Sequence, residues 1–364
     1  MDVLMLSGDL GSGGASRVVY QISRHLPPDI DTTVAYLGGD SYLTQKFERQ
    51  GIPVVRLADR PTSPVAVREL YRLIRGHSPD VVHTHMMTAG VLGRPIAALH
   101  DTPTVHTVHT NYRKRPPVAK YLDVLSAPFG RCAVCVSDSV ERSLPRYYWS
   151  GTTVIHNCID VPEILREGES EWEELEWTGD LDPDAPVIAN VARYDPKKRR
   201  CDIIEGFERV VADHPSAQLV LTGHRDGRQA QLAALARKRG IAENVFFVGF
   251  VESPQTVYHH ADVIIFGSES EGFSVGLLEA MAHRRPIIAT DIPAFVEALG
   301  EDYPGLVPVR SPVELGERLA DVLADERQRE ELAELAASRV EPFTGSIAAD
   351  KYVDIYRRLG GDGE

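Results

Sequence analysis

The chain has 364 residues, 43% of them hydrophobic and 25% charged, with a formal net charge of -14. Such a length exceeds what one core usually fills, so two domains are expected, and the composition is that of an ordinary soluble globular protein. The acidic balance argues against a nucleic-acid binder, four cysteines do not make a disulfide framework, and no apolar run reaches the ~20 residues of a membrane-spanning helix.

The N-terminus, Met-Asp-Val-Leu-Met-Leu-Ser, reads as a first strand rather than a basic leader, and a cytoplasmic setting is expected. In chain order the candidate strands of the first half are Asp2–Ser7, Thr32–Leu37, Ile52–Leu57, Asp80–His85, Thr104–His109, Cys132–Ser137 and Thr152–His156. Stretches of helical length separate them, with apolar residues three or four apart, as in Val18, Val19, Ile22 and Leu26. The rhythm then breaks in a Glu-rich stretch ending in Gly-Asp-Leu-Asp-Pro-Asp, which reads as an acidic, partly helical connection over 161–185. Strands resume at Val187–Val191, Gln218–Thr222, Asn244–Val248, Asp262–Phe266, Pro286–Thr290 and Gly305–Val309. A last helix carries Ile347, Tyr352, Ile355, Tyr356 and Leu359 on one face. The expected class is α/β: two doubly wound domains, 1–160 and 186–345, facing a cleft, with 346–364 closing the chain. Ligands in such sheets sit beyond the carboxyl ends of the strands.

Five segments at those ends could carry chemistry. Gly11-x-Gly13-x-x-Ser16 nearly matches a dinucleotide fingerprint, with Asp40 downstream, which keeps a nicotinamide-dependent oxidoreductase open. His83, His85, His100, His106 and His109 gather near strand ends; if the strand runs to His109, alternation sends His106 and His109 to opposite faces, and His109 is placed at the cleft. Arg113, Lys114 and Arg115 stand out from the acidic background as a candidate acceptor patch. Arg68, Arg72 and Arg75 share a helix face that could join it against a lipid headgroup. In Asn190–Arg200, Arg193 leaves a strand end and Lys198 follows a Tyr-Asp-Pro turn, two cations suited to phosphate. In Glu271–Glu279, Ser274 starts a helix whose free N–H groups suit phosphate, while Glu271 and Glu279 can accept from hydroxyls. Cys132-x-x-Cys135 lies inside an apolar strand and reads as core, Asp29-x-Asp31 and Asp180-x-Asp182-x-Asp184 read as solvated turns, and no metal site is expected.

With those residues in place the chain resembles a retaining glycosyltransferase of the two-Rossmann-domain type (GT-B), glycosyltransferase family 4, or glycosyl transferases group 1. The family's Gly-Gly-Ala loop resembles Gly13-Gly14-Ala15, its Val-Ser segment Val136-Ser137, and its Pro-Asn-Gly-Ile/Val-Asp element His156-Asn157-Cys158-Ile159-Asp160. Its Gly-Arg-Leu…Lys-Gly element resembles Ala192-Arg193-Tyr194…Lys198-Arg199, and its Gly-Phe-Val turn is Gly249-Phe250-Val251. Its Glu, seven residues, Glu pattern is matched at Glu271 and Glu279. Cys158 and Arg199 stand where the pattern has glycine, and spacing prefers Lys198 to Lys197 as the phosphate ligand.

The resemblance implies a UDP- or GDP-sugar donor, a hydroxyl acceptor that could be lipid-linked, no cofactor and no metal. Arg193 and Lys198 would hold the diphosphate, with Gly272 and the amides of Phe273, Ser274 and Val275 beside it. Glu279 would bind ribose hydroxyls and Glu271 the transferred sugar. His109 would sit near that sugar, and Gly13 and Gly14 near phosphate and acceptor. The resemblance also implies a last helix that crosses back onto the first domain and a peripheral place at the inner face of the cell membrane. An epimerase or phosphorylase of the same fold is the alternative within it.

Overall fold

The computed structural model describes residues 1–145, 151–223 and 227–361. The expected domains 1–160, 186–345 and 346–364 therefore each include a few positions outside the described residues. The chain divides into two compact units, Met1–Ile159 with Phe343–Glu364, and Asp160–Pro342.

Unit 1 alternates strand and helix: β1 (Asp2–Ser7), α1 (Gly14–His25), β2 (Asp31–Tyr36), α2 (Thr44–Arg49), β3 (Val54–Arg56) and α3 (Pro64–His77). Then come β4 (Val81–His85), α4 (Met87–Ala98), β5 (Thr104–Val108), α5 (Pro117–Ser126), β6 (Cys132–Cys135), α6 (Asp138–Glu141) and β7 (Thr152–Val154). The seven strands are all parallel in the order β3-β2-β1-β4-β5-β6-β7. β1, β4, β5 and β6 are almost wholly buried, as strands covered on both faces must be.

Unit 2 begins with α7 (Val161–Gly168), β8 (Val187–Val191), α8 (Arg200–Asp213), β9 (Gln218–Thr222), α9 (Gln229–Lys238), β10 (Val245–Gly249) and α10 (Pro254–His260). It continues through β11 (Val263–Phe266), α11 (Val275–Ala282), β12 (Ile287–Thr290), α12 (Pro293–Leu299), β13 (Leu306–Val307), α13 (Pro312–Ala324) and α14 (Glu326–Ser338). Its six parallel strands run β10-β9-β8-β11-β12-β13. Strand order reverses between β8 and β11, the place where a doubly wound sheet opens a crevice beyond its carboxyl ends. The reversal in unit 1 falls between β1 and β4.

The acidic segment 161–185 is tied to unit 2 throughout. Asp160 caps α7, its Oδ1 accepting from Glu163 N at 2.8 Å. Ser253 Oγ donates to Glu167 O at 3.1 Å, His260 Nε2 lies 2.7 Å from Ser170 O, and the buried Trp177 donates its indole N–H to Thr256 at 3.1 Å.

The last helix, α15 (Gly345–Gly360), belongs to unit 1, as the resemblance implied. The chain returns through Ile159 and Thr344, with Ile159 N donating to Phe343 O and Gly345 N to Ile159 O, both at 2.9 Å. Gly345 lies so close to the His25 ring of α1 that a Cβ has no room there. Buried Tyr352 and Tyr356 then enter a polar core network. Tyr356 Oη lies 2.5 Å from His83 Nδ1, His83 Nε2 lies 2.8 Å from Thr107 Oγ1, and Thr107 Oγ1 lies 2.9 Å from Tyr352 Oη. Every polar group in that chain has a partner, which is what allows it to stay dry.

Candidate active site

Each candidate residue of unit 2 lies at the β8–β11 switch point. Arg193 lies two residues beyond the end of β8 and is exposed. Beneath it Arg200, the first residue of α8, is buried and stacks on Tyr194 with 4.2 Å to the ring centroid. Its guanidinium donates to Asn190 Oδ1 at 2.8 Å, to Ala192 O at 2.7 Å and to Thr222 O. Asn190 in turn donates to Ile265 O at 2.7 Å, so one Arg–Asn pair fastens the ends of β8, β9 and β11. Gly223 packs on the Ala192 carbonyl at φ +139°, a place with no room for a side chain. Arg200 was part of the basic run Lys197–Arg200 in sequence, and nothing local separates this inward arginine from its outward neighbours.

Lys198 and Glu271 meet. The ammonium lies 2.6 Å from Glu271 Oε1, with side chains only 17% and 11% exposed. Lys197 turns instead toward Asp195, at 3.8 Å. The loop after β11 is fixed on the β8 loop by Glu269 N donating to Lys197 O at 2.8 Å. Arg310 donates to Glu269 Oε2 at 2.8 and 3.2 Å, and Thr290 Oγ1 holds Ser268 O at 2.5 Å. Arg199, in the family's glycine position, adopts the left-handed conformation glycine favours (φ 50°, ψ 39°). Two of its guanidinium nitrogens, Nε and Nη2, donate to Asp202 at 2.9 and 2.7 Å.

Gly272 and Ser274 are half-buried, and Phe273 and Val275 are buried. Ser274 is the N-cap of α11, its Oγ accepting from Leu277 N at 3.3 Å, so the helix begins where the sequence placed it. Glu279 lies in the second turn, buried on the same helix. Lys198 and Glu271 are therefore in contact just before the N-terminus of α11, while Arg193 follows β8 and Glu279 lies on α11; cations and a helix N-terminus suit an anion, and carboxylates accept from hydroxyls.

In unit 1 the five histidines separate. His106 packs under α4, against Gly90, with Thr84 Oγ1 at 2.9 Å from its Nδ1, while His85 and His109 lie together with 3.1 Å between Nδ1 and Nε2. β5 ends at Val108, so the alternation does not extend to His109, which lies beside His85, whereas His106 lies beside Thr84 and Gly90. His100 departs from the expected cluster: it follows α4 at the other end of the sheet and stacks on Tyr71, centroids 4.8 Å apart. Gly13 and Gly14 are exposed after β1, where Gly13 is the N-cap of α1. Asp40 is occupied with its own loop, its Oδ1 accepting from Tyr42 N at 3.1 Å, and Gly11 packs against its carboxylate.

Arg113 and Lys114 are exposed, while Arg115 turns inward onto Asp123, which also pairs with Arg94. Of the expected Arg68–Arg72–Arg75 face, two members have a carboxylate partner. Arg68 and Arg72 are paired to Glu69, and Arg75 lines a shallow cavity of about 330 Å³ with Ile74, Asp80 and His100. Cys132 and Cys135 are buried free thiols, and burial pushes Cys135 up to about 12, which keeps it protonated and unreactive. Among the described residues no group of three or more His, Cys, Asp or Glu is arranged to hold a metal.

Burial pushes the His109 imidazole down to about 4, with the Arg115 guanidinium adding to the shift and Asn157 opposing it. Burial takes His83 to about 3 and holds His85 and His106 well below their ordinary value. All four are neutral at physiological pH. Unfolded imidazoles titrate near 6.5, so between that pH and the native values the unfolded chain binds more protons. Stability from these neutral histidines is complete above about pH 6.5 and falls as pH drops toward 4 and then 3. Urea midpoints should therefore decline steadily from neutral pH into that window, and less steeply in His83→Asn; a flat profile would remove burial as the cause.

Two doubly wound parallel-sheet units, the second gathering cations, carboxylates and a capped helix N-terminus at its switch point, define a two-domain glycosyltransferase of the GT-B class. Residues 12–163 match the model described as Glycosyltransferase Family 4, and residues 173–339 the one described as Glycosyl transferases group 1. The chain belongs to this family. It is 24% identical over 311 residues to the phosphatidyl-myo-inositol mannosyltransferase of Mycobacterium tuberculosis, covering 82% of this chain and 79% of that one. It is 28% identical over 302 residues to the D-inositol 3-phosphate glycosyltransferase of Xylanimonas cellulosilytica, covering 76% and 71%. Among solved structures, Anabaena HepE in complex with UDP-glucose aligns with a TM-score of 0.84 at 18% identity, over 98% of this chain and 100% of that one. Sucrose-phosphate synthase of Thermosynechococcus elongatus aligns at 0.79 and 19% identity, over 100% of both chains. An oxidoreductase, the class left open by Gly11–Ser16 and Asp40, is not what these family matches describe.

Proposed function

We propose that the chain transfers a hexose from a UDP- or GDP-sugar to a hydroxyl acceptor, with retention at the anomeric carbon and without a metal. The observation that carries this reading is the Lys198–Glu271 pair at 2.6 Å, with Glu271 three residues before Ser274, the N-cap of α11. Arg193 and Lys198 take the donor diphosphate, with the amides of Phe273, Ser274 and Val275 adding neutral donors. Fixed cations aimed at the leaving diphosphate stabilise the charge it gains as the sugar–oxygen bond breaks. Glu279 accepts from ribose hydroxyls and Glu271 from the transferred sugar. In a front-face displacement the anomeric carbon bonds the acceptor oxygen while the acceptor proton passes to the departing phosphate. In unit 1, Gly13 and Gly14 leave backbone open for phosphate or acceptor. His109, neutral above about pH 4, serves as a hydrogen-bonding partner for a sugar hydroxyl.

The relatives named for phosphatidyl-myo-inositol and inositol 3-phosphate support an acceptor bearing a cyclitol or a lipid, and the neighbour bound to UDP-glucose supports a UDP-sugar. Melting in the presence of nucleotide sugars tests the donor. A ligand at a hundred times its Kd stabilises by about 2.7 kcal/mol, so UDP- or GDP-sugars should raise Tm by several degrees in wild type and little in Arg193→Ala. No shift with any nucleotide sugar sinks the reading. Product formed without acceptor, or dependent on phosphate, reassigns the chain as an epimerase or phosphorylase. An inverted anomer, or loss of turnover with chelator, overturns the corresponding part of the proposal.

A further inference from the structure

The loops at the carboxyl ends of β8, β11 and β13 carry their own counter-ions. Lys197 lies 3.8 Å from Asp195, Arg199 donates to Asp202 at 2.7 Å, and Arg310 donates to Glu269 at 2.8 Å. Lys198 lies 2.6 Å from Glu271. Four cations are thus each matched by a carboxylate, and Arg200 is taken up by backbone carbonyls. A site built only to attract phosphate gains nothing from carboxylates set against its cations, since each one lowers the positive field it offers. Three of the four have structural work. Asp195 caps the turn before Lys198 by accepting from Lys197 N at 3.1 Å, Asp202 holds the Arg199 side chain, and Glu269 ties its loop to Arg310. Glu271 has no such task, and among the described residues Lys198 is the partner of its carboxylate.

The two loops are held together around that contact. Glu269 N donates to Lys197 O at 2.8 Å. Gly267 lies so close to the other loop that an added Cβ would stand 3.0 Å from Ile203 and 3.4 Å from Lys198 O. An ammonium has three donors, so Lys198 can hold Glu271 and a phosphate at once. Any phosphate oxygen it holds then lies within roughly 5–6 Å of Glu271 Oε1, two anions across one lysine. With side chains 17% and 11% exposed, the pair lies where water screens that repulsion poorly.

The size of the repulsion depends on what is bound. The terminal phosphate of a bare nucleoside diphosphate has a second pKa of about 6 and carries nearly two charges at neutral pH. Esterified to a sugar it carries one, and the sugar brings hydroxyl donors that a carboxylate accepts. We propose that Glu271 is the residue by which this site prefers a nucleotide that bears a sugar over the bare nucleoside diphosphate that transfer leaves behind. The inference rests on the transfer reading above. With donor bound, sugar hydroxyls satisfy the carboxylate and offset the repulsion. Once the hexosyl group has passed to the acceptor, the carboxylate faces a more highly charged phosphate with no hydroxyl between them, and the product is expelled.

Calorimetric titration of the full chain with UDP and GDP, and with UDP-glucose and GDP-mannose, tests this without any acceptor. Glu271→Gln keeps the shape and removes the charge. It should tighten the bare nucleotide roughly tenfold while leaving the sugar nucleotide unchanged or weaker. Glu271→Ser, neutral and smaller, should act in the same direction, so whichever variant melts as the wild type does decides the matter. Bare-nucleotide affinity that is unchanged or lowered in such a variant overturns the proposal, as does an equal gain for bare and sugar nucleotides. Either result leaves the transfer reading standing. If neither bare nor sugar nucleotides bind the wild type or the variants, the transfer reading fails and this proposal with it.

Discussion

Replacing Lys198 with alanine is expected to lower kcat/KM for sugar transfer by roughly 10²–10³-fold, the loss that follows removal of one preorganised stabilising group from a transition state. Its ammonium is held at 2.6 Å from Glu271, in a place only 17% exposed, and both loops that carry the pair are fastened to each other through Glu269 and Lys197. A cation so placed needs little reorganisation when charge develops on a leaving diphosphate. Lys197 supplies the control. It turns to Asp195 at 3.8 Å and is 36% exposed, a pairing of the kind worth little, so Lys197→Ala should stay within about twofold of wild type. Since Lys198 and Glu271 are in direct contact, the effects of Lys198→Ala and Glu271→Ala should not multiply in the double variant. Steady-state kinetics on the wild type and the four variants decide the matter; a Lys198→Ala enzyme of near-normal kcat/KM removes this lysine from the donor site.

The largest effect on stability is expected at Asp123. Its carboxylate lies between Arg94 and Arg115, with side-chain exposures of 0%, 0% and 7%. Substitution by alanine strands two buried guanidinium groups, a change that typically costs about 3–5 kcal/mol. The cluster joins α4, α5 and the turn after β5, so the loss should appear as a lower urea midpoint, with α5 loosened first in hydrogen exchange. Asp123→Asn, which keeps a hydrogen-bonding acceptor but not the charge, should fall between wild type and alanine. A midpoint unchanged in Asp123→Ala would mean that the arginines find water or other partners as readily.

Much of this was legible in the sequence because the signals are local. Short β-branched runs alternating with helical periods placed every strand, and Ser274 announced the start of α11 by its own chemistry as a cap. The edge strands are shorter than their apolar runs: Ile52–Leu57 is paired only at Val54–Arg56, and Gly305–Val309 only at Leu306–Val307. At an edge one neighbour, not two, decides where pairing stops. What could not be read depends on partners far along the chain. Lys197, Lys198, Arg199 and Arg200 look alike in sequence, yet one meets Asp195, one Glu271, one Asp202, and one the carbonyls of two strands. Arg113, Lys114 and Arg115 divide in the same way once Asp123 is brought under the last of them. The helix α5 has ordinary amphipathic spacing, and only the structure shows which side faces out.

Unit 1 is completed by the end of the chain. Its histidine core closes on Tyr356, 273 residues after His83, whereas unit 2 is uninterrupted from Asp160 to Pro342. At ~5–20 residues per second of synthesis, His83 waits roughly a quarter of a minute to a minute for its tyrosine. During that interval the first sheet exists without the helix that covers its polar interior, while the second can already close. The unit that is begun first is therefore completed last.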